Sequence, residues 1–232
     1  NGVVIGSTTV GPGDGSVRLN APGPGNQYVT LRSVDGTDFL AVHTGTNRQD
    51  VVVGVPWFGD TVYGVASRNL KLGAPAATVV SWLAHNGTAN PNQAIAANVT
   101  TNLTGNGGYG NGRAYAISGP DRFAAVQQAD LDGTETTAFY PSRLLSQTYR
   151  LPITSRYYAI ACPVPGTAIS IDGGPAGTCA GTGVGHFYSG FGTHPAGTLI
   201  EADHPIFVYA ETRSRRDEHN LVGPKGHIPY LD

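Results

Sequence analysis

The chain reads as an all-β protein of tandem β-sandwich units, jelly-roll or immunoglobulin-like, with short Gly/Pro-rich turns and very little helix. Three observations lead there. The apolar stretches are short and rich in β-branched and aromatic residues. Gly and Pro, 33 and 16 of 232 residues, make up about a fifth of the chain and punctuate those stretches. No window of a dozen residues carries a 3.6-residue apolar period.

The strand candidates follow in chain order. Tyr28-Val-Thr-Leu-Arg32, Asp38-Phe-Leu-Ala-Val42 and Asp50-Val-Val-Val-Gly54 lie in the N-terminal part, and Arg122-Phe-Ala-Ala-Val126, Tyr157-Tyr-Ala-Ile-Ala161 and Pro205-Ile-Phe-Val-Tyr209 come later. Gly105-Asn-Gly-Gly-Tyr-Gly-Asn-Gly112 lacks the strand-to-helix setting and the lysine of a phosphate loop, so it reads as a hairpin tip. Ser142-Arg-Leu-Leu-Ser-Gln147 is the best candidate for a helical turn, and Pro141 suits its first position.

A repeat sets the domain organisation. The stretch from Ile117 to Pro141 lines up ungapped with that from Ile200 to Pro224, a shift of 83 residues that pairs Phe123–Val126 with Ile206–Tyr209 and Glu135 with Glu218. Upstream, Asn86-Gly-Thr-Ala89 echoes Pro165-Gly-Thr-Ala168 at a shift of 79, which implies a small insertion containing the cysteines. The reading is an N-terminal strand extension or short module over 1–65, a sandwich unit over 66–145, and its repeat over 146–232, with the linker near Leu144 to Tyr149. Strands 122–126 and 205–209 are expected to be equivalent.

Charge narrows the function. Only 13% of residues are charged, against roughly 25% in an ordinary soluble domain. The net charge is -2 and the sequence pI about 6.4, without the basic stripe that nucleic acid demands. Nucleic acid is excluded as the main partner. No apolar run reaches bilayer length, so membrane insertion is not expected, and no signal peptide is recognisable. Methionine is absent, which suggests that residue 1 is the end of a processed or trimmed chain. Lysine occurs only at Lys71 and Lys225, a usage that fits an extracellular or particle-bound protein.

Cys162 and Cys179 bracket a Gly-, Pro- and Ala-rich segment with little else to order it. A disulfide there is expected, worth roughly 3 kcal/mol as loop entropy; the alternative is a pair of buried thiols in a reducing compartment. Asp130-Leu-Asp-Gly-Thr-Glu135 places the carboxylates of Asp130, Asp132 and Glu135 about a glycine turn, a candidate for Ca²⁺ that lacks the remaining ligands of a full loop and otherwise reads as a solvated turn. No cofactor is otherwise expected. Five of seven histidines fall in the last fifty residues, at spacings that match no zinc pattern, and read as surface or strand-end residues; Asp203-His204 before Pro205 suggests a turn. No nucleophile elbow occurs, and Glu135, Glu201, Glu211 and Glu218 give no reason to single out a glycosidase pair. Asn86, Asn98 and Asn102 each head an N-x-Thr sequon.

The aromatics are the remaining handle on binding. Trp57 and Phe58 follow Pro56, while Tyr157, Tyr158, Phe187, Tyr188 and Phe191 recur in the second unit. They suit a sandwich core, a subunit contact or a sugar platform.

Gly197-Thr-Leu-Ile-Glu-Ala-Asp-His-Pro-Ile-Phe-Val-Tyr-Ala-Glu211, with Asp217-Glu218 and Leu221-Val-Gly223, resembles β-rich repeat domains of bacteriophage virion structural proteins from head or tail surfaces. So does Ala129-Asp-Leu-Asp-Gly-Thr-Glu-Thr-Thr-Ala-Phe-Tyr-Pro141. The resemblance carries no catalytic residue and implies a structural role. The expectation is therefore a non-enzymatic subunit of an extracellular or virion assembly, such as a capsid decoration, fibre or filament protein, whose partners are copies of itself or other subunits. A carbohydrate-binding or adhesive module that meets surface glycans is the alternative, and a secreted hydrolase the third reading.

Overall fold

The structure, a computed structural model, describes residues 9, 42–45, 48–51, 59–66, 69–103, 112–128, 136–212, 218–221 and 223. It is all-β, with antiparallel pairing between every pair of named strands. Its one short 3-10 turn among the described residues is Ser142–Leu144, entered from Pro141; Ser146 and Gln147, the end of the expected helical stretch, belong to a strand. No helix among these residues is long and apolar enough to cross a membrane. A small hairpin, β1 (Val42–Gly45) and β2 (Arg48–Val51), forms a separate two-stranded sheet.

Two sheets follow. The first holds β3 (Gly59–Ala66), β4 (Asn69–Gly73), β5 (Thr78–Ala84), β6 (Ala89–Ile95), β7 (Thr101–Asn102), β8 (Arg113–Gln128), β9 (Thr136–Ala138) and β10 (Tyr140–Pro141). The second holds β11 (Ser146–Arg150), β12 (Ser155–Cys162), β13 (Ala168–Ile171), β14 (Gly174–Thr178), β15 (Gly185–Tyr188), β16 (Leu199–Thr212) and β17 (Glu218–Asn220). The chain passes from one to the other between Pro141 and Ser146. The first sheet begins at Gly59, so the expected boundary at 65/66 falls inside β3.

The two sheets share one pairing scheme. In the first, the long β8 pairs β3, β4, β5 and β9, while β6 hangs on β5 and β7 on β4. In the second, β16 pairs β11, β12, β13 and β17, while β14 hangs on β13 and β15 on β12. Registers agree residue by residue: Leu72↔Ala125 corresponds to Ile160↔Val208, and Trp82↔Ile117 to Ile171↔Ile200. Ala125 and Val208, like Ile117 and Ile200, stand 83 positions apart, whereas the strands that precede and pair with them stand 87 to 89 apart. The second unit is thus the shorter between its third strand and its long strand. This corrects the Asn-Gly-Thr-Ala and Pro-Gly-Thr-Ala correspondence: residues 86–89 close the β5–β6 hairpin, whereas residues 165–168 connect β12 to β13. Both are turns, for the same local chemistry, at different places in the scheme.

Packing follows the alternation of side chains along the strands. Val62, Leu70, Leu72, Val80, Trp82, Tyr115, Ile117, Phe123 and Phe139 fill the first unit, and Tyr149, Tyr158, Ile160, Ile200, Ile206 and Val208 fill the second. The opposite faces meet each other: Val65, Ala114, Tyr140, Tyr157, Ala159, Ala161, Phe207 and Tyr209 form a third buried layer between the units. Tyr157–Ala161 and Ile206–Ala210 are therefore buried on both faces, which explains why they read as continuous apolar runs.

The disulfide links Cys162 to Cys179, with Cα atoms 6.3 Å apart and both residues buried. Its ring is better ordered than its composition suggested, since it contains the β13–β14 hairpin, and β13 is bonded to β16. By register Cys162 corresponds to Ala74, which in the first unit makes an isolated bridge with Ala97 after β6. The disulfide covalently closes a gap that the other unit closes by backbone contact. A disulfide fits an oxidising environment. Replacing both cysteines by alanine should cost roughly 3 kcal/mol, from the loop entropy restored to the unfolded chain, read as a lower urea midpoint. An unchanged midpoint would show that the hairpin alone orders this segment.

Candidate functional site

Strand alternation divides the aromatics that composition grouped together. Tyr158 turns into the second unit's own core, where its ring lies 6.4 Å from Phe187 in a stacked arrangement and 4.9 Å from His194 edge-on. Its hydroxyl is pushed up to about 12, by burial first and then by the charge of Asp172. Tyr157 turns the other way. Its ring lies 5.4 Å from Tyr188, 5.5 Å from Phe191 and 6.0 Å from Tyr209, between the units and at their edge. Three of the five therefore share one cluster, and the other two belong to a core.

The cluster reaches solvent at Phe191, which is 52% exposed. The turn that carries it is fastened to the start of β12: Gly192 N–H donates to Arg156 O at 2.8 Å, and Ser155 and His194 exchange backbone hydrogen bonds of 2.8 and 2.9 Å. Gly190 enters this turn at φ +77, where a side chain would be strained. The Arg156 guanidinium lies 4.3 Å from the centre of the Phe191 ring. Its Nη1 is also 3.4 Å from Oε1 of Glu211, a carboxylate only 2% exposed. Tyr188 lies behind, with its hydroxyl buried, without a hydrogen-bond partner, and raised in pKa chiefly by burial. The arrangement presents an aromatic ring on a rigid turn, backed by a cation that a buried anion holds in place. It can bury apolar and aromatic groups.

A groove of about 570 Å³ lies elsewhere, on the outer face of the first unit where residues of the second reach over it. Tyr63, Ser81, Leu83, Asn90 and Ser118 line it from one unit and Gly183 from the other. Every lining side chain is neutral. The lining Ser118 Oγ accepts a hydrogen bond from Thr61 Oγ1 at 3.2 Å, and burial raises the pKa of the Tyr63 hydroxyl.

Trp57, Phe58, Asp130, Asp132 and Glu135 lie outside the described residues. Among those described, no three His, Cys, Asp or Glu side chains gather to hold a metal. Asn86, Asn98 and Asn102 are all exposed; Asn86 Oδ1 accepts a hydrogen bond from Thr88 N–H, and Asn102 bonds Lys71. Asp203 and His204 are exposed but form no turn. They lie within β16, where that strand passes from β11 and β13 to β12 and β17 as partners. Sequence reading missed Arg156 and the groove, and weighed Glu211 only as one of four carboxylates without a partner; the Arg-Tyr-Tyr run at 156–158 was the one available signal, since successive strand residues face opposite sides.

Comparison with protein-family models, curated proteins and solved structures finds no match to this chain.

Truncating Arg156 leaves the Glu211 carboxylate buried without its cation. Arg156→Ala should destabilise by about 2–4 kcal/mol, and adding Glu211→Gln should recover part of that loss. Urea unfolding of the two single variants and the double variant measures the coupling; strict additivity would show that the pair carries no interaction.

Proposed function

We propose that this protein is a structural subunit of an extracellular or virion assembly, acting through contacts with copies of itself or with other subunits. The observation that carries this reading is the Phe191 turn, whose exposed ring is stacked on Arg156 and backed by Tyr157 and Tyr188. Aromatic residues and arginine are the side chains that most often anchor protein interfaces. The turn is fixed by backbone bonds, so little ordering entropy is lost on association. Composition points the same way, because charged residues are those depleted at interface cores.

A carbohydrate-binding role is the second reading, and the groove favours it. Its neutral lining combines a tyrosine with serine hydroxyls and an asparagine amide, groups that suit an uncharged polyol.

Size-exclusion chromatography with light scattering separates the two readings. The subunit reading expects self-association, or co-elution with a lattice partner, that Phe191→Ser weakens at least about tenfold. A chain that stays monomeric and binds neutral oligosaccharides, with binding lost in Tyr63→Ala and unaffected by Phe191→Ser, would replace the first reading with the second.

A further inference from the structure

His85 and His186 meet where the two units touch beyond their shared core. His85 begins the turn after β5, and His186 lies on β15 opposite Ala161. Their ring centres are 4.6 Å apart, with an interplanar angle of 35°. His85 Nδ1 and His186 Nε2 are both buried without a hydrogen-bond partner. The backbones are tied as well: Thr182 N–H donates to His85 O at 3.2 Å, and Ala180 and His186 exchange bonds of 3.0 and 2.7 Å.

The chain between these bonds is built to lie flat on the first unit. Gly181 and Gly183 have φ of +148 and +88. A Cβ on Gly183 would collide with Leu83, and one on Gly181 with the Val184 carbonyl. Gly183 and Leu83 both line the groove, so this segment closes it on one side through Gly183.

We propose that the His85–His186 stack is an acid-labile clasp: two uncharged imidazoles hold residues 181–184 against the first unit, and their protonation releases this segment and opens the groove wall. The groups acting on the pair are few. Burial is the largest influence on both rings and lowers their proton affinity, His85 disfavours charge on His186, and Arg113 of β8 adds a fixed positive charge beside both. A backbone hydrogen bond with Gly112 opposes this at His186, and no carboxylate is among the groups acting on either ring. The His186 pKa is held down to about 4, from an ordinary 6.5. The direction follows from linkage. A released ring takes up its proton at a higher pH than a clasped one, so the clasp is intact above about 6.5 and is lost as the pH falls toward about 4. The shared core layer, which contains no histidine or carboxylate, holds the units together meanwhile.

The test is an NMR titration of the intact, disulfide-bonded protein from about pH 7.5 to about pH 3.5, following the ring protons of both histidines and the Thr182 amide. The expected result is that both rings titrate below the ordinary histidine range. The Thr182 amide should shift with them, its released fraction rising by up to about tenfold per pH unit for each proton taken up, while amides of β12 and β16 stay unchanged. His186→Gln and His85→Gln should each reduce that pH response of Thr182. Titration of the wild-type rings at the ordinary value, or a Thr182 amide that does not move with them, overturns the proposal without any variant. So does an unaltered Thr182 transition in a folded His186→Gln protein.

Discussion

The structure depends on one layer, the buried contact between the outer faces of the two units. Phe207 and Tyr209 of β16 and Tyr157 of β12 project into it from one side, and Val65, Ala114 and Tyr140 from the other. Burying each large side chain there is worth roughly 1.5–3 kcal/mol, and edge-on contacts such as Tyr140–Phe207, 5.3 Å between ring centres, add about 0.5–1.5 kcal/mol each. Close approach is bought with small residues. Ala114, Ala159 and Ala161 line the layer, and a Cβ on Gly112 would come within 3.0 Å of Val65 and 3.4 Å of Ala159. Hydrogen bonds cross between the units here, since the fully buried Gln127 donates to the Tyr209 hydroxyl and Asn220 donates to the Ala138 carbonyl. Because this layer fixes the units relative to each other, it also fixes the Phe191 turn at its edge and the overlap of Gly183 with the groove.

Within each unit the organising element is a strand that changes partners along its length. β8 pairs β3 and β5 in its first half and β4 and β9 in its second, and β16 does the same with its own neighbours. The change falls at Gly119–Pro120 in one and at Asp203–Pro205 in the other. Proline cannot donate to a ladder, so it is tolerated where pairing passes from one set of neighbours to the next. At Gly119 an added Cβ would stand 2.8 Å from Val80, which leaves little room for anything larger at the bend. Folding one long strand across two sets of partners lets about 80 residues enclose a core of their own and still present an outer face to a second copy of the scheme.

The part of this plan legible in the sequence is the long strand and the short return after it. There the 83-residue shift holds through Ile117/Ile200 and Ala125/Val208. The return itself is displaced by one: Phe139 N–H donates to Ala125 O, whereas Leu221 N–H donates to Val208 O. Upstream the correspondence was hidden, because the two units differ by several residues before the long strand and because equivalent core positions carry unlike side chains, Trp82 against Ile171 and Val62 against Tyr149. Two turns with the same Gly-Thr-Ala spelling misled for the opposite reason: turn chemistry is local and says nothing about which strands it joins. The cysteine bond was legible from the Gly- and Pro-rich segment that it closes, but the hairpin inside its ring was not. The aromatics were identified as a group by composition, although period-two alternation already sends Tyr157 and Tyr158, and Phe187 and Tyr188, to opposite faces.

The scarcity of charge follows from the same architecture. Strands buried on both faces have no solvent side on which to carry Lys or Glu, so β12 and the second half of β16 can hold charge only at their ends. Arg156 and Glu211 sit at those ends, on neighbouring strands, and form the ion pair seen among the described residues. Glu211 is deep enough to need a partner and Arg156 shallow enough to reach past it toward Phe191, so a charge pair required by the core is carried to the surface as a platform for an aromatic ring. An arginine held by its own anion loses little freedom when a partner covers it. The cation that backs the Phe191 ring is therefore placed by the same packing that holds the two units together.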